Sequence, residues 1–176
     1  MVPYDLPGGD LVARPAPAVA AGPFKDALAR LASGVAIVSC WDGPTPRGLL
    51  VSSITGLSVD PPRLLFCVRK QASSHDALLR VRTCGVAILG TEDHDEGLRF
   101  ASPQRASERF ADPRWSLDPA APPLYAGGLA SAHCVIDQAI DAQTHSLLIV
   151  TARSLTVRPG PPLVAFARDF STLAAL

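Results

Sequence analysis

Hydrophobic positions change period along the chain, and the change marks the elements. In FKDALARLAS, residues 24–33, Phe24, Ala27, Leu28, Leu31 and Ala32 recur at three- and four-residue spacing. That spacing predicts a helix, closed by Gly34. VAIVSCW (35–41) is continuous, apolar and β-branched, so it reads as a strand. DGPTPRG (42–48) is a turn, and LLVSSIT (49–55) is the returning strand. LSVDPP then ends in two prolines, which break a ladder.

The second half alternates in the same manner. RLLFCV (63–68) predicts a central buried strand, RKQASS (69–74) a polar loop, and HDALLRV (75–81) a short helix that Ser73 or Ser74 is placed to cap. CGVAILG (84–90) is a further strand. Residues 91–112 predict short helices around Leu98, Phe100 and Phe110, and 112–123 are irregular. Strands follow at 129–141, 145–157 and 163–170, and no internal repeat interrupts the pattern. Six or seven strands with short connections give a mainly β fold with short helices. A small antiparallel barrel removes its own edges, with a sandwich as the alternative.

Residues 1–23 differ in composition: five of the 17 prolines fall there, among many alanines and glycines. They read as a flexible or extended arm, leaving 24–176 as the folded domain. With 176 residues, one domain suffices to bury a core. Lys plus Arg equals Asp plus Glu at 16 each, so bulk charge draws the chain neither to nucleic acid nor to an anionic membrane. No apolar run reaches membrane-spanning length, and the N-terminus lacks a signal-peptide pattern. Cys40, Cys67, Cys84 and Cys134 are far apart in apolar surroundings, which predicts buried free thiols in a reducing, cytoplasmic setting.

Two stretches carry chemistry. V-S-S-I-T (51–55) sets three hydroxyls beside a breaking loop, a combination suited to the polar edge of a flat heteroaromatic ring. R-K-Q-A-S-S (69–74) sets two cations and two hydroxyls before a helix start, which suits a phosphate; helix capping is the plainer role for the serines. His94 and His133 lack further partners at metal-ligand spacing, so no metal site is expected. No G-x-S-x-G nucleophile elbow occurs.

Three segments in order, FKDALARLASGVAIV (24–38), VSSITGLSVDPPRLLFCV (51–68) and SSHDAL (73–78), resemble the flavin-reductase-like, FMN-binding split-barrel family. That family includes the small reductase components of two-component flavin-dependent monooxygenases. The resemblance spans about residues 24–170 and implies a split β-barrel that binds FMN or FAD. It further implies oxidation of NADH or NADPH, a homodimer, and delivery of reduced flavin to an oxygenase component. By resemblance, Val51, Ser52, Ser53, Ile54 and Thr55 line the flavin ring. Backbone N–H groups around Ser53–Thr55 would stabilise charge on the reduced ring. Arg69 and Lys70 follow the strand beneath the ribityl chain, while Ser73, Ser74 and His75 meet the phosphate. Arg99 and Phe100, in R-F-A, approach the cofactor.

The chain departs from the family at three places. His75 stands where relatives usually carry Thr. The G-D-H-T that precedes a long strand is Q-T-H-S here (143–146), which retains His145 as the catalytic candidate but replaces its Asp neighbour with Thr144. The last strand carries Ala165, Phe166 and Phe170 in place of Tyr and His, and Phe166 either stacks on an aromatic substrate or fills core. These departures keep open a rival reading: a specialised flavoprotein acting on a pathway intermediate, without general reductase activity.

Overall fold

In the computed structural model, residues 18–174 are described. The expected arm therefore lies mostly outside the described residues. Helix α1 spans Ala21–Leu28, so it begins inside the stretch read as arm and ends five residues before the predicted limit. Pro23 is tolerated in its first turn, where the backbone N–H groups have no intrahelical acceptor.

The strands are β1 (Ser33–Gly34), β2 (Ala36–Asp42), β3 (Thr45–Val51), β4 (Thr55–Ser58), β5 (Arg63–Arg69) and β6 (Thr83–Ile88). They continue as β7 (Trp115–Ser116), β8 (Leu124–Tyr125), β9 (Ala130–Ala142), β10 (His145–Val157), β11 (Val164–Phe166) and β12 (Asp169–Ser171). Helix α2 spans His75–Val81 and α3 spans His94–Ala101, with 3-10 turns at Thr91–Asp93 and Pro103–Glu108. Seven strands form one antiparallel sheet in the order β3-β2-β6-β9-β10-β5-β4, and β1, β11 and β12 form a small accessory sheet.

The sheet order explains the closure. β3 and β4 are consecutive in sequence yet occupy opposite edges of the sheet. Residues 52–54 must therefore cross from one edge to the other, and β3 comes to lie beside β5. The sheet curls into a barrel with a seam, and the sandwich alternative is excluded. Pro46 lies within β3, where the sequence predicts a turn. It is accommodated because β3 is an edge strand, with no further ladder to donate to.

Period-2 alternation sorts the side chains into two cores. Ala36, Val38 and Cys40 of β2 face the barrel interior with Phe66, Val68, Leu148 and Val150. Val35 and Ile37 face the opposite side, against Phe100, Trp115, Tyr125 and Leu163. A strand buried on both faces reads as an unbroken apolar run, which is what 35–41 shows. Helix α2 closes one end of the barrel through Ala77 and Leu78, both buried in the interior core. Each fully buried Leu or Phe there contributes about 1.5–3 kcal/mol relative to exposure.

The predicted strand at 163–170 is two short strands, β11 and β12, separated by Ala167 and Arg168, both with positive φ (50° and 69°). Among the described residues no helix is long and apolar enough to cross a membrane.

Candidate functional site

The site lies on the seam. Residues 52–54 are outside the strands they connect, and among the described residues their three backbone N–H groups donate to no protein acceptor. The crossing is pinned by Ser53, whose hydroxyl accepts from the Cys67 N–H at 3.1 Å and donates to the Cys67 carbonyl at 3.3 Å. Val51 is buried and Ile54 packs on the interior core, so these two anchor the segment while Ser52, Ser53 and Thr55 stay exposed.

Alternation on β5 sends Phe66 and Val68 inward and leaves Cys67 and Arg69 on the cleft side. On β10 it buries Ser146 and leaves His145 half-exposed. Cys67, Arg69 and His145 line a cleft of about 410 Å³ with Leu49, Leu50, Val51, Ser52, Ser53 and Ala72. A wider bay of about 570 Å³ adjoins it, sharing Ser52, Ser53 and Arg69, with Leu28 of α1 and Phe166 of β11 on its far wall. Phe166 is thus exposed on a cleft wall, not part of the core. A third recess, lined by Arg69, Lys70, Gln143, Thr144 and His145, continues the surface along the β9–β10 hairpin.

The two cations differ. Lys70 Nζ binds Asp141 Oδ2 at 2.6 Å, and this contact, more than the Gln143 N–H that also donates to the carboxylate, holds Asp141 below the usual carboxylate range. Arg69 has no carboxylate partner among the described residues, so its guanidinium is free for an anion. His145 Nδ1 is 2.9 Å from Thr144 Oγ1, which orients the ring more weakly than a carboxylate would. Gln143 holds the left-handed φ of 60° in the hairpin turn, a conformation glycine adopts without strain.

Five expected site residues lie differently. His75 is buried, with Nδ1 2.7 Å from Asp76 Oδ1 and Nε2 2.9 Å from Ser146 Oγ, so both ring nitrogens are engaged away from the cleft. Arg99 is held by Glu96 at 2.7 Å and Asp95 at 2.6 Å, which commits it to the acids of its own helix. Phe100 is only 4% exposed, packed on Phe110 and Trp115 behind β3. Ser74 stands at the N-cap of α2 but makes no capping bond, and its hydroxyl is buried without a partner. Ser73, which is exposed, opens onto a separate groove beside Arg47 and Arg109.

Arg109 was not singled out by sequence reasoning. Its guanidinium donates to the carbonyls of Arg99 and Gly48 and stacks 5.4 Å from the Phe100 ring centre, and burial lowers its pKa. Sequence gave no signal for this, because an arginine whose partners are carbonyls shows no charge pattern. Two buried carboxylates were likewise concealed in TEDHDE. Asp93 accepts from Tyr125 Oη at 2.9 Å, and Glu96 from Trp115 Nε1 at 2.8 Å. Among the described residues no three His, Cys, Asp or Glu side chains form a metal-ligand group.

An antiparallel barrel with a seam between β3 and β5, and a cleft of mixed apolar and polar lining along it, defines an architectural class. That class is the split β-barrel. The chain belongs to the flavin reductase like domain family, whose profile matches residues 28–174. It is 32% identical over 151 residues to the FMN reductase (NADH) RutF 2 of Methylorubrum extorquens (strain PA1), covering 85% of this chain and 87% of that one. Among solved structures, it is similar to BorF, the flavin reductase component of a bacterial two-component tryptophan halogenase. The two share 27% identity at a TM-score of 0.79, covering 89% of this chain and all of BorF. It is also similar to the NADH:FAD oxidoreductase SgcE6 of Streptomyces globisporus C-1027, solved with NAD and FAD fragments. That likeness has 25% identity and a TM-score of 0.77, over 86% of this chain and 91% of the other. The split-barrel architecture is common to all of these solved folds.

Proposed function

We propose that the protein is an NAD(P)H-dependent flavin reductase that supplies reduced FMN or FAD to a partner flavin-dependent oxygenase. The observation that carries this reading is the convergence, in one seam cleft, of Ser52 and Ser53, whose backbone N–H groups have no protein acceptor among the described residues, with the unpaired Arg69 and His145. The residues present fit a flavin. Leu49, Leu50 and Val51 would offer apolar surface to a ring, the unsatisfied N–H groups of Ser52 and Ser53 would be available to ring acceptors, and Arg69 would neutralise a phosphate.

A flavin held by these residues would supply the redox chemistry, hydride transfer from a reduced nicotinamide. The chain's own groups bind and orient. The 52–54 amides stabilise the negative charge that reduction leaves on the ring's acceptor edge, without reorganising as it forms. The bay between α1 and Phe166 gives the nicotinamide an aromatic wall beside the ring site. His145, at the rim, positions the nicotinamide or holds a proton at its outward ring nitrogen. The working unit we propose is a homodimer, supported by the apolar residues Leu155 and Val157 that β10 leaves exposed.

The test is oxidation of NADH and of NADPH, each with FMN and with FAD, followed by nicotinamide absorbance. Rapid flavin-dependent oxidation is expected, and the four combinations select both cofactors. Flavin that binds without being reduced by either nucleotide would instead support a specialised flavoprotein, the reading that the altered hairpin at Gln143 and Thr144 favours.

A further inference from the structure

His75 begins α2 yet turns away from the cleft. Its side chain is 7% exposed, and its two ring nitrogens meet different elements. Nδ1 lies 2.7 Å from the exposed carboxylate of Asp76, and Nε2 lies 2.9 Å from the buried hydroxyl of Ser146 on β10. The carboxylate accepts only, so Nδ1 carries a proton toward Asp76, and Nε2 is the ring atom that bonds the Ser146 hydroxyl. Ser146 Oγ has no other partner among the described residues.

The position of this link gives it a consequence. Ser146 directly follows His145, and in the β5–β10 ladder it faces Val68 while His145 faces Arg69. Residues 69–74, which carry the free guanidinium and both loop serines, run from that ladder to His75. The loop is tied to the β9–β10 hairpin at its start, where the Lys70 N–H donates to the Thr144 carbonyl at 3.0 Å and Lys70 Nζ binds Asp141. At its end, the His75–Ser146 bond is the tie to β10. The loop is thereby fixed at its start to the β9–β10 hairpin and at its end to β10, the strand that carries His145.

We propose that His75 is a positioning residue: through Ser146 it locks the 69–74 loop onto β10 and sets the distance between the phosphate-holding end of the cleft and the ring-holding seam. The proposal rests on the flavin reading above. It requires that the link matter for a phosphorylated flavin and not for one that lacks the phosphate.

The probes are FMN and riboflavin, their affinities read by fluorescence quenching with thermal melting alongside. Ser146→Ala removes one hydroxyl without changing volume and retains the fold. His75→Gln places an amide where Nε2 was and keeps the Ser146 bond, whereas His75→Asn reaches only toward Asp76. Ser146→Ala and His75→Asn are each expected to weaken FMN binding by about five- to tenfold, while His75→Gln stays within about twofold of the wild type. The Ser146→Ala/His75→Asn double variant should bind no more weakly than either single one, because both remove the same bond. Riboflavin affinity should stay within about twofold in all of them. Equal losses for FMN and riboflavin, or no loss in Ser146→Ala, would overturn the proposal. A wild type that binds neither flavin would instead overturn the flavin reading itself.

Discussion

Arg69 and His145 stand directly opposite each other across the β5–β10 ladder, and both side chains open onto the seam cleft. This register places a free cation and the candidate catalytic imidazole at one rim. It follows from two features of the chain: a strand that ends at Arg69 and a hairpin that restarts at His145. These two polar groups of the cleft are therefore positioned by the ladder.

Arg69→Ala should weaken FMN binding by roughly tenfold, because a charge-assisted bond to phosphate contributes about 1.5–3 kcal/mol and the cleft is open to solvent. Added salt should narrow the difference between variant and wild type, since exposed charges are screened. Titration at low and high ionic strength checks both points.

His145→Ala should slow flavin reduction with little change in flavin affinity. The ring is at the rim, and among the described residues its side-chain hydrogen bond is to Thr144, so the seam does not depend on it. General acid–base or positioning groups typically contribute about 10²–10⁴-fold; the weak Thr144 contact argues for the low end. Single-turnover reduction under saturating flavin measures the effect, and an unchanged rate constant would remove His145 from the chemistry.

Ser53→Ala should loosen the seam. It deletes both bonds to the Cys67 backbone, worth about 1 kcal/mol net because the freed groups are rehydrated. The melting temperature should fall by about 2–4 °C for a chain of this size. Flavin affinity should fall several-fold in parallel, and Ser53→Thr should restore both.

Cys67 should be the thiol that flavin protects. It is half-buried and lines the cleft, while Cys40, Cys84 and Cys134 are buried. Burial pushes the Cys40 thiol up to about 12, so at neutral pH it carries almost no reactive thiolate. Labelling with a small alkylating reagent, followed by peptide mass mapping, should modify Cys67 first, and saturating FMN should slow that modification. Labelling of Cys67 that ignores flavin would place the cofactor elsewhere.

Much of this arrangement was legible in the residues. The strand at 145–157 has the predicted bounds, because an apolar, β-branched run begins right after the hairpin turn and ends before the Pro/Gly-rich 159–162. Alternation of burial holds from His145 to Val150, after which register shifts interrupt it. V-S-S-I-T, singled out for its hydroxyls, is the segment that crosses the seam, and one of those hydroxyls, Ser53, pins the crossing to the Cys67 backbone. What alternation could not show was that β3 and β4 lie on opposite edges of the sheet, which is why 49–55 read as one strand when it is a strand end, a crossing and a new strand start. Pairing partners far apart in sequence leave no local signal.

The roles of single side chains were less legible, and for a physical reason in each case. Phe100 follows a helical period that does not distinguish a core aromatic from one facing a ligand, and here it packs behind β3. Arg99 is taken up by Glu96 and Asp95 one turn back, a pairing that i, i+3 and i, i+4 spacing does allow for. His75 differs because its partner is 71 residues away, on a strand whose neighbour in space the sequence does not name.

The most direct measurement of the central claim is a crystal structure of the protein with FMN and its nicotinamide donor. The account predicts the flavin ring against residues 51–55, with the 52–54 amides on its acceptor edge. It places the phosphate near Arg69 and the nicotinamide between the ring and Phe166, close to His145. A flavin seated away from the seam, or a nicotinamide that cannot reach the ring, would contradict it.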